Sequence, residues 1–431
     1  MRDFGTVLFW GTLALHFVLV TVATLGFIGH AVPFYTTLTL CLLLLARDQT
    51  VFFAYPGLLL MTVMFLAPLI VSDVPIAVKT FRGHNFYDNG LILSFYWFIG
   101  FFSCYLPSAN AVREGTVDKL QLTRSDVVPI LASMCLLVFS ALMLRDGTLL
   151  SGGYRDVTAD RLGFIEFAAL LSLMGFCAVR SRLVRTILIA CVAVYLISCL
   201  LVGLRLRFLS VATVAFCCMV GMKIDPRWKM AGFAAAILLF VLGMVRNTGL
   251  ADANLASLLS FEQLYKRGAV VSTPGGAFQT AKFYSFYVDT IAPIQGGSAF
   301  YFLIGDFLSI FLTKGGIPAN MEIKRATTAY FDVPGGGLLP GYFFAYFGVF
   351  GAVVLSAVFS ALFIAILRLR MAGAFPYQVL LAAYAPRTLL YDWTVGFKMM
   401  FFFFVLNTIL TMAARAAPDR SSVARTAEGR P

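Results

Sequence analysis

The chain reads as an all-α polytopic membrane protein, and three observations predict it. Of 431 residues, 60% are hydrophobic and only 13% charged, about half the charged share of an ordinary soluble domain. Mean hydropathy is +0.88. Apolar runs approaching the ~20 residues that a bilayer crossing needs recur at short intervals. No polar stretch is long enough for a separate soluble catalytic domain of ~100 residues or more.

Twelve transmembrane helices are expected. The first, 6–28, is too long for a removable signal and has no small-residue cleavage site before the next span, so it reads as a retained helix. The next two, 31–46 and 51–71, are separated by the polar link Arg47-Asp48-Gln49-Thr50. Aromatic-rich 89–106 follows, then 127–144 and 162–179. Spans 186–204 and 208–222 are joined by the turn Gly203-Leu204-Arg205-Leu206-Arg207, and 230–245 completes a block of nine. Three more, 339–367, 375–390 and 399–414, close the bundle. The resulting organisation is nine helices in 1–245, one large external loop in 246–338, three helices in 339–414 and a basic tail in 415–431.

Orientation follows from Lys and Arg. With the N-terminus inside, the inner links hold seventeen basic residues against eight acidic ones, and all other segments hold sixteen against thirteen. Both termini are therefore expected inside. The pI near 9.4 reflects this bias, and no soluble basic run interleaved with aromatics suggests a nucleic-acid partner.

The eight Cys all fall inside expected spans, and the three His (His16, His30, His84) are scattered. Neither set has zinc-ligand spacing, no Asp-x-Asp occurs, and no nucleotide or nucleophile-elbow motif appears, so neither a metal nor a cofactor is expected.

Three features point to chemistry. The 246–338 segment is long enough to be functional. It contains an apolar stretch at 296–313, interrupted by Asp306, that fits an interfacial or re-entrant helix. It also mixes Tyr with cations, including Arg246, Lys282 and Arg325, types suited to sugar faces and phosphate oxygens. For any one of these residues a solvated loop position is the simpler reading, and the collective pattern carries more weight than its members. Second, Arg205 and Arg207 lie in a very short outer turn that the charge rule disfavours, where they either snorkel to headgroups or hold a ligand phosphate. Arg387 raises the same question. Third, Gly335, Gly336 and Gly337 precede a helix, giving a backbone free to bend and to present N–H groups to an anion; a flexible hinge explains the run equally well.

The order of these parts is a short Arg-containing outer turn, a basic inner hairpin, a large outer loop, and a Gly-rich turn entering a helix that reads Tyr342 to Gly351, followed by two closing spans. Across 203–414 this resembles the Wzy family of O-antigen and oligosaccharide repeat-unit polymerases. Gly341-Tyr342 stand where that helix often begins with Ser and an acidic residue. The resemblance implies a bacterial inner-membrane enzyme working at its periplasmic face. It would transfer a growing glycan from undecaprenyl pyrophosphate to the non-reducing hydroxyl of a fresh lipid-linked repeat unit, with a polysaccharide chain-length regulator as a possible partner. Arg205, Arg207, Arg246, Lys282, Arg325 and Arg387 would then bind pyrophosphate, beside Gly335, Gly336, Gly337 and Tyr342. Asp332 or Asp306 would serve as general base, and no metal would be required.

Two other readings stand beside this one. An O-antigen ligase has a similar layout, but its outer loop usually carries a His near an Arg, and no His follows Arg246 here. A lipid-linked oligosaccharide flippase or secondary transporter would suit twelve spans with both ends inside, yet such proteins usually show two similar halves, whereas the long segment here is off centre.

Overall fold

The computed structural model describes residues 2–71, 89–112, 127–146, 166–173, 179, 181–202, 205–235, 273–312, 316–331, 336–369 and 374–416. Among them the backbone is almost entirely helical, with one isolated antiparallel bridge between Thr50 and Lys223. Helices α1 (Arg2–Thr24), α2 (Val32–Arg47), α3 (Ala54–Val71), α4 (Asn89–Ser103) and the short α5 (Leu106–Asn110) come first. α6 (Val127–Asp146), α7 (Arg182–Val202) and α8 (Arg205–Val220) come next. After them come α9 (Thr273–Phe286), α10 (Ala299–Leu308), α11 (Ile323–Thr328), α12 (Leu339–Arg368), α13 (Ala374–Ala383), α14 (Ala385–Leu390) and α15 (Thr394–Ala416). Four helical stretches among the described residues are long and apolar enough to cross a membrane: Phe4–Thr24, Asn89–Asn110, Arg182–Cys199 and Leu339–Arg368. The chain is a helical membrane protein.

It divides into two compact units, one of Met1–Gly115 with Leu204–Lys398 and one of Thr116–Gly203 with Met399–Pro431. In the second unit α6 packs on α7, and the Ser133 hydroxyl donates to Ser172 at 2.9 Å. Leu131, Met134, Val138 and Leu142 leave one side of α6 apolar and exposed, the pattern of a lipid-facing surface.

The core of the first unit is the packing of α12 on α4, and it explains part of the Phe content. Phe102 meets Tyr105 with ring centres 4.4 Å apart and Phe363 at 5.1 Å, while Tyr55 meets Phe363 edge-on at 4.8 Å. Aromatic pairs in such geometries add about 0.5–1.5 kcal/mol each to simple burial. α1, α2 and α3 surround this core, with His16 buried between Thr36 Oγ1 and the Tyr96 carbonyl, each 3.0 Å away.

Where α2 gives way to α3, residues 48–51 form a strap. Asp48 Oδ1 accepts from the Thr50 N–H (2.8 Å) and hydroxyl (2.7 Å), and Oδ2 from the Tyr105 hydroxyl (2.7 Å). Val51 N–H donates to Met222 O and Ile224 N–H to Gln49 O, both at 2.9 Å. Lys229 Nζ donates to the Asp48 carbonyl at 2.7 Å. Burial pushes the Asp48 carboxyl up, and its hydrogen bonds together with the Lys229 charge pull it back.

Three sequence expectations are corrected. The 375–390 span is two short helices, α13 and α14, interrupted at Tyr384. Pro386 is the cause, since it has no N–H and its ring excludes the carbonyl four residues back. The long span beginning at 339 is also interrupted: Phe347 and Gly348 leave helical geometry, with Gly348 at φ +64°, a region open to glycine at no steric cost. The remainder of that helix, 349–368, is long enough for a full crossing by itself. Finally, part of the segment expected as a solvated loop is a buried helix. α9 packs on α3 and α12, with Ala277, Ala281 and Tyr284 fully buried. Small residues allow this approach; a Cβ on Gly341 of α12 would overlap Ala281.

Candidate functional site at the interrupted helices

The breaks at 347–348 and 384, and the link 391–393 between α14 and α15, belong to the first unit, as do α9 and α10. A helix interruption exposes backbone groups that need partners, and at membrane depth such backbone is tolerated where protein or a polar cavity satisfies it. The short first piece of α12, residues 339–346, carries Tyr342 and Tyr346. Tyr342 donates its hydroxyl to the Tyr391 carbonyl at 2.9 Å, and its oxygen lies 3.4 Å from that of Tyr284 on α9. Tyr346 donates to Oδ2 of Asp306 on α10 and itself accepts from Trp393 Nε1 at 3.3 Å.

Asp306 is the buried acid of this centre. Its helix is ten residues long, about 15 Å, half a membrane crossing. Burial holds the Asp306 carboxyl well above the usual carboxylate range, and the negative charges of Asp392 and Glu322 add to that; the Tyr346 hydroxyl and the Ile323 N–H, both donating to it, pull back. A carboxyl displaced in this direction is harder to ionise than an exposed one. α10 fits here because Gly305 has no side chain: a Cβ there would lie 2.6 Å from the Met321 carbonyl carbon.

The Tyr391–Thr394 turn is tied down at each residue. Tyr391 O also accepts from the Gly337 N–H at 3.1 Å, and the Tyr391 and Asp392 N–H groups both donate to Arg387 O at 2.9 Å. Asp392 Oδ1 accepts from the Thr394 N–H at 2.9 Å and the Thr394 hydroxyl at 2.7 Å. Ser309, just beyond α10, donates to Thr394 Oγ1 at 3.3 Å, and Lys398 Nζ donates to Leu312 O at 3.2 Å.

Several residues singled out in the sequence meet here. Asp306, Gly336, Gly337 and Tyr342 lie in the centre. The two glycines are buried and admit protein backbone: a Cβ on Gly336 would sit 2.6 Å from Tyr391 O, and the Gly337 N–H is already committed to that oxygen. Lys282 is buried on α9, with Nζ 5.2 Å from the centre of the Phe278 ring. Arg387 lies over the Tyr384 ring at 5.7 Å. Arg325 on α11 donates to Ile317 O at 3.1 Å and lies 3.8 Å from Glu322. Arg207 is in the first turn of α8, which packs on α13 and α14; its Nη1 is buried and has no hydrogen-bond partner among the described residues. Asp332, Arg246 and Gly335 lie outside the described residues, as does the Arg205 side chain.

Asp392, Tyr346, Trp393 and Thr394 carried no signal in the sequence. Asp392 is an ordinary acid in the link between two expected spans, and Tyr346 is one aromatic in an aromatic helix. Among the described residues no three His, Cys, Asp or Glu side chains group as metal ligands. Comparison of the chain with protein families, with curated proteins and with solved structures finds no match.

Proposed function

We propose that the protein is a lipid-linked glycan polymerase of the O-antigen type, with twelve spans, both termini inside and the 246–338 segment at the periplasmic face of the bacterial inner membrane. It joins undecaprenyl-pyrophosphate-linked repeat units, and the centre at the interrupted helices is its active site. The observation that carries this reading is the packing of α8, with Arg207 in its first turn, against α14, which carries Arg387. A guanidinium nitrogen with no hydrogen-bond partner among the described residues, a second Arg on the adjoining helix and an acid, Asp392, just beyond that helix suit a reaction whose leaving group is a pyrophosphate and whose nucleophile is a hydroxyl. Permanent cations stabilise the charge that develops on the departing pyrophosphate, and a fixed carboxylate accepts the proton. Purified protein given undecaprenyl-pyrophosphate-linked repeat units in excess chelator is expected to produce a ladder of longer chains. Unchanged single units, or activity abolished by chelation and restored by magnesium, would overturn it.

One observation favours a second reading. Interrupted helices around a buried acid are also the architecture of alternating-access carriers, and a flippase for the same lipid-linked units would use them without forming a bond.

A further inference from the structure

Among the described residues two aspartates of the centre compete for the role of base, and the geometry separates them. Asp306 is sealed: it is 7% exposed, and Tyr346, whose hydroxyl it accepts, is 2% exposed. A substrate hydroxyl would have to displace both. Asp392 is half-buried, at the surface of the same centre. Its Oδ1 is held by two hydrogen bonds from Thr394, and Oδ2 has none among the described residues. The turn is fixed on both sides by α10, through Asp306, Tyr346 and Trp393 on one and through Ser309 and Thr394 on the other. A carboxylate with one oxygen immobilised and the other available is placed to take a proton from a bound hydroxyl.

We infer, resting on the polymerase reading above, that Asp392 is the general base of the transfer, Thr394 its positioning residue, and Asp306 a buried scaffold carboxyl. The acceptor hydroxyl oxygen forms a bond to the anomeric carbon of the donor glycan. The bond from that carbon to the pyrophosphate oxygen breaks, and its electron pair leaves with undecaprenyl pyrophosphate. The hydroxyl proton passes to Asp392 Oδ2 and from there to water. Thr394 holds the carboxylate through Oδ1 and leaves Oδ2 for the transfer.

The test uses full-length protein in lipid nanodiscs with the undecaprenyl-pyrophosphate-linked repeat unit as both donor and acceptor. Elongation rate and binding of the labelled unit are measured separately. Asp392→Asn is expected to slow elongation by about 10²–10⁴-fold, the range for loss of a general base, with binding within threefold of the unaltered protein. Thr394→Val is expected to slow it about tenfold or more and Thr394→Ser to restore it to within about threefold, a rescue that a bulk packing role would not show. If the unaltered protein elongates and Asp392→Asn does so within tenfold of it, the assignment fails and the polymerase reading stands. If the unaltered protein does not elongate, the polymerase reading itself fails. Should Asp392→Asn not fold, the Thr394 pair decides: equal rates for the Val and Ser variants and the unaltered protein would overturn the assignment.

Discussion

Two buried aspartates in the same unit are treated in opposite ways. Asp48, in the strap between α2 and α3, has neighbours that all favour its charge: three hydrogen-bond donations from Thr50 and Tyr105, and the cation of Lys229. Asp306 is also buried, but the charges of Asp392 and Glu322 acting on it are negative. The first arrangement is locally consistent, each group helping the next, and needs no purpose beyond holding a link in place. The second keeps a buried acid beside other acids, next to the break in α12 and the link before α15, a conflict that a fold retains where function requires it.

If that contrast is right, the two regions should answer differently to similar changes. The largest effect is expected at glycine. Gly336→Ala drives a Cβ into the Tyr391 backbone and should cost more than about 3 kcal/mol or abolish assembly of the turn. Gly57→Ala, near the strap, meets nothing closer than Phe233 at 3.7 Å and should be close to neutral. Thermal unfolding in detergent with elongation assays checks both, and equal tolerance at the two positions would break the comparison.

Next in size is Arg207→Lys. The variant keeps a long cation, enough to snorkel, but loses the planar fork. A charge-assisted bond lost costs on the order of 1.5–3 kcal/mol, roughly ten- to hundredfold in rate if it acts in the transition state. Membrane abundance should be unchanged while the long-chain glycan ladder shortens on gels. A full ladder would assign Arg207 to the lipid interface.

Smaller effects separate the aspartates themselves. Asp48→Asn should lower stability by about 1–3 kcal/mol, because one of the two oxygens that Thr50 and Tyr105 donate to becomes an NH2, leaving a buried donor facing a donor. Asp306→Asn keeps one acceptor oxygen and removes a carboxyl whose charge Asp392 and Glu322 disfavour, so it should cost less, about 1 kcal/mol. Reversal of this order in denaturation experiments would contradict the contrast between the two sites.

How much of this was readable in the sequence depends on what each region relies on. α1, α2, α4, α7 and α12 rest on long apolar runs, and the runs located them. α9 was not visible as a buried helix, because Gly275, Gly276, Gln279 and Lys282 dilute its apolar content; it is buried through close backbone approach, which depends on a partner helix distant in sequence. The break before Pro386 had its signal in that proline, hidden within an otherwise continuous apolar stretch. Asp306 stood out as an acid inside an apolar run. Asp392 did not, since its placement comes from Thr394, Arg387 and Tyr391 closing a turn around it. The Gly335 to Gly337 run suggested an anion loop, whereas Gly336 and Gly337 serve close packing of one backbone on another.

The smallest expected effect is in the pH dependence of stability. The folded state holds the Asp306 proton over a range in which the unfolded chain's carboxyl is ionised, so folding binds a proton there. Stability from this group is therefore fully present below the ordinary carboxylate range and declines as pH rises toward the raised folded value. Asp306→Asn removes that decline, and its melting temperature relative to the unaltered protein should improve with rising pH. Parallel curves would show that Asp306 is ionised in the folded state.

Bond formation, as opposed to movement of the same molecules, is decided most directly in sealed proteoliposomes carrying the purified protein and a lipid-linked repeat unit labelled in both sugar and lipid, placed in one leaflet. The account predicts elongated glycan with one undecaprenyl pyrophosphate released per linkage formed, and exchange between leaflets no faster than in protein-free vesicles. Rapid equilibration of intact units between leaflets, with no elongated product, would contradict it and make the protein a carrier.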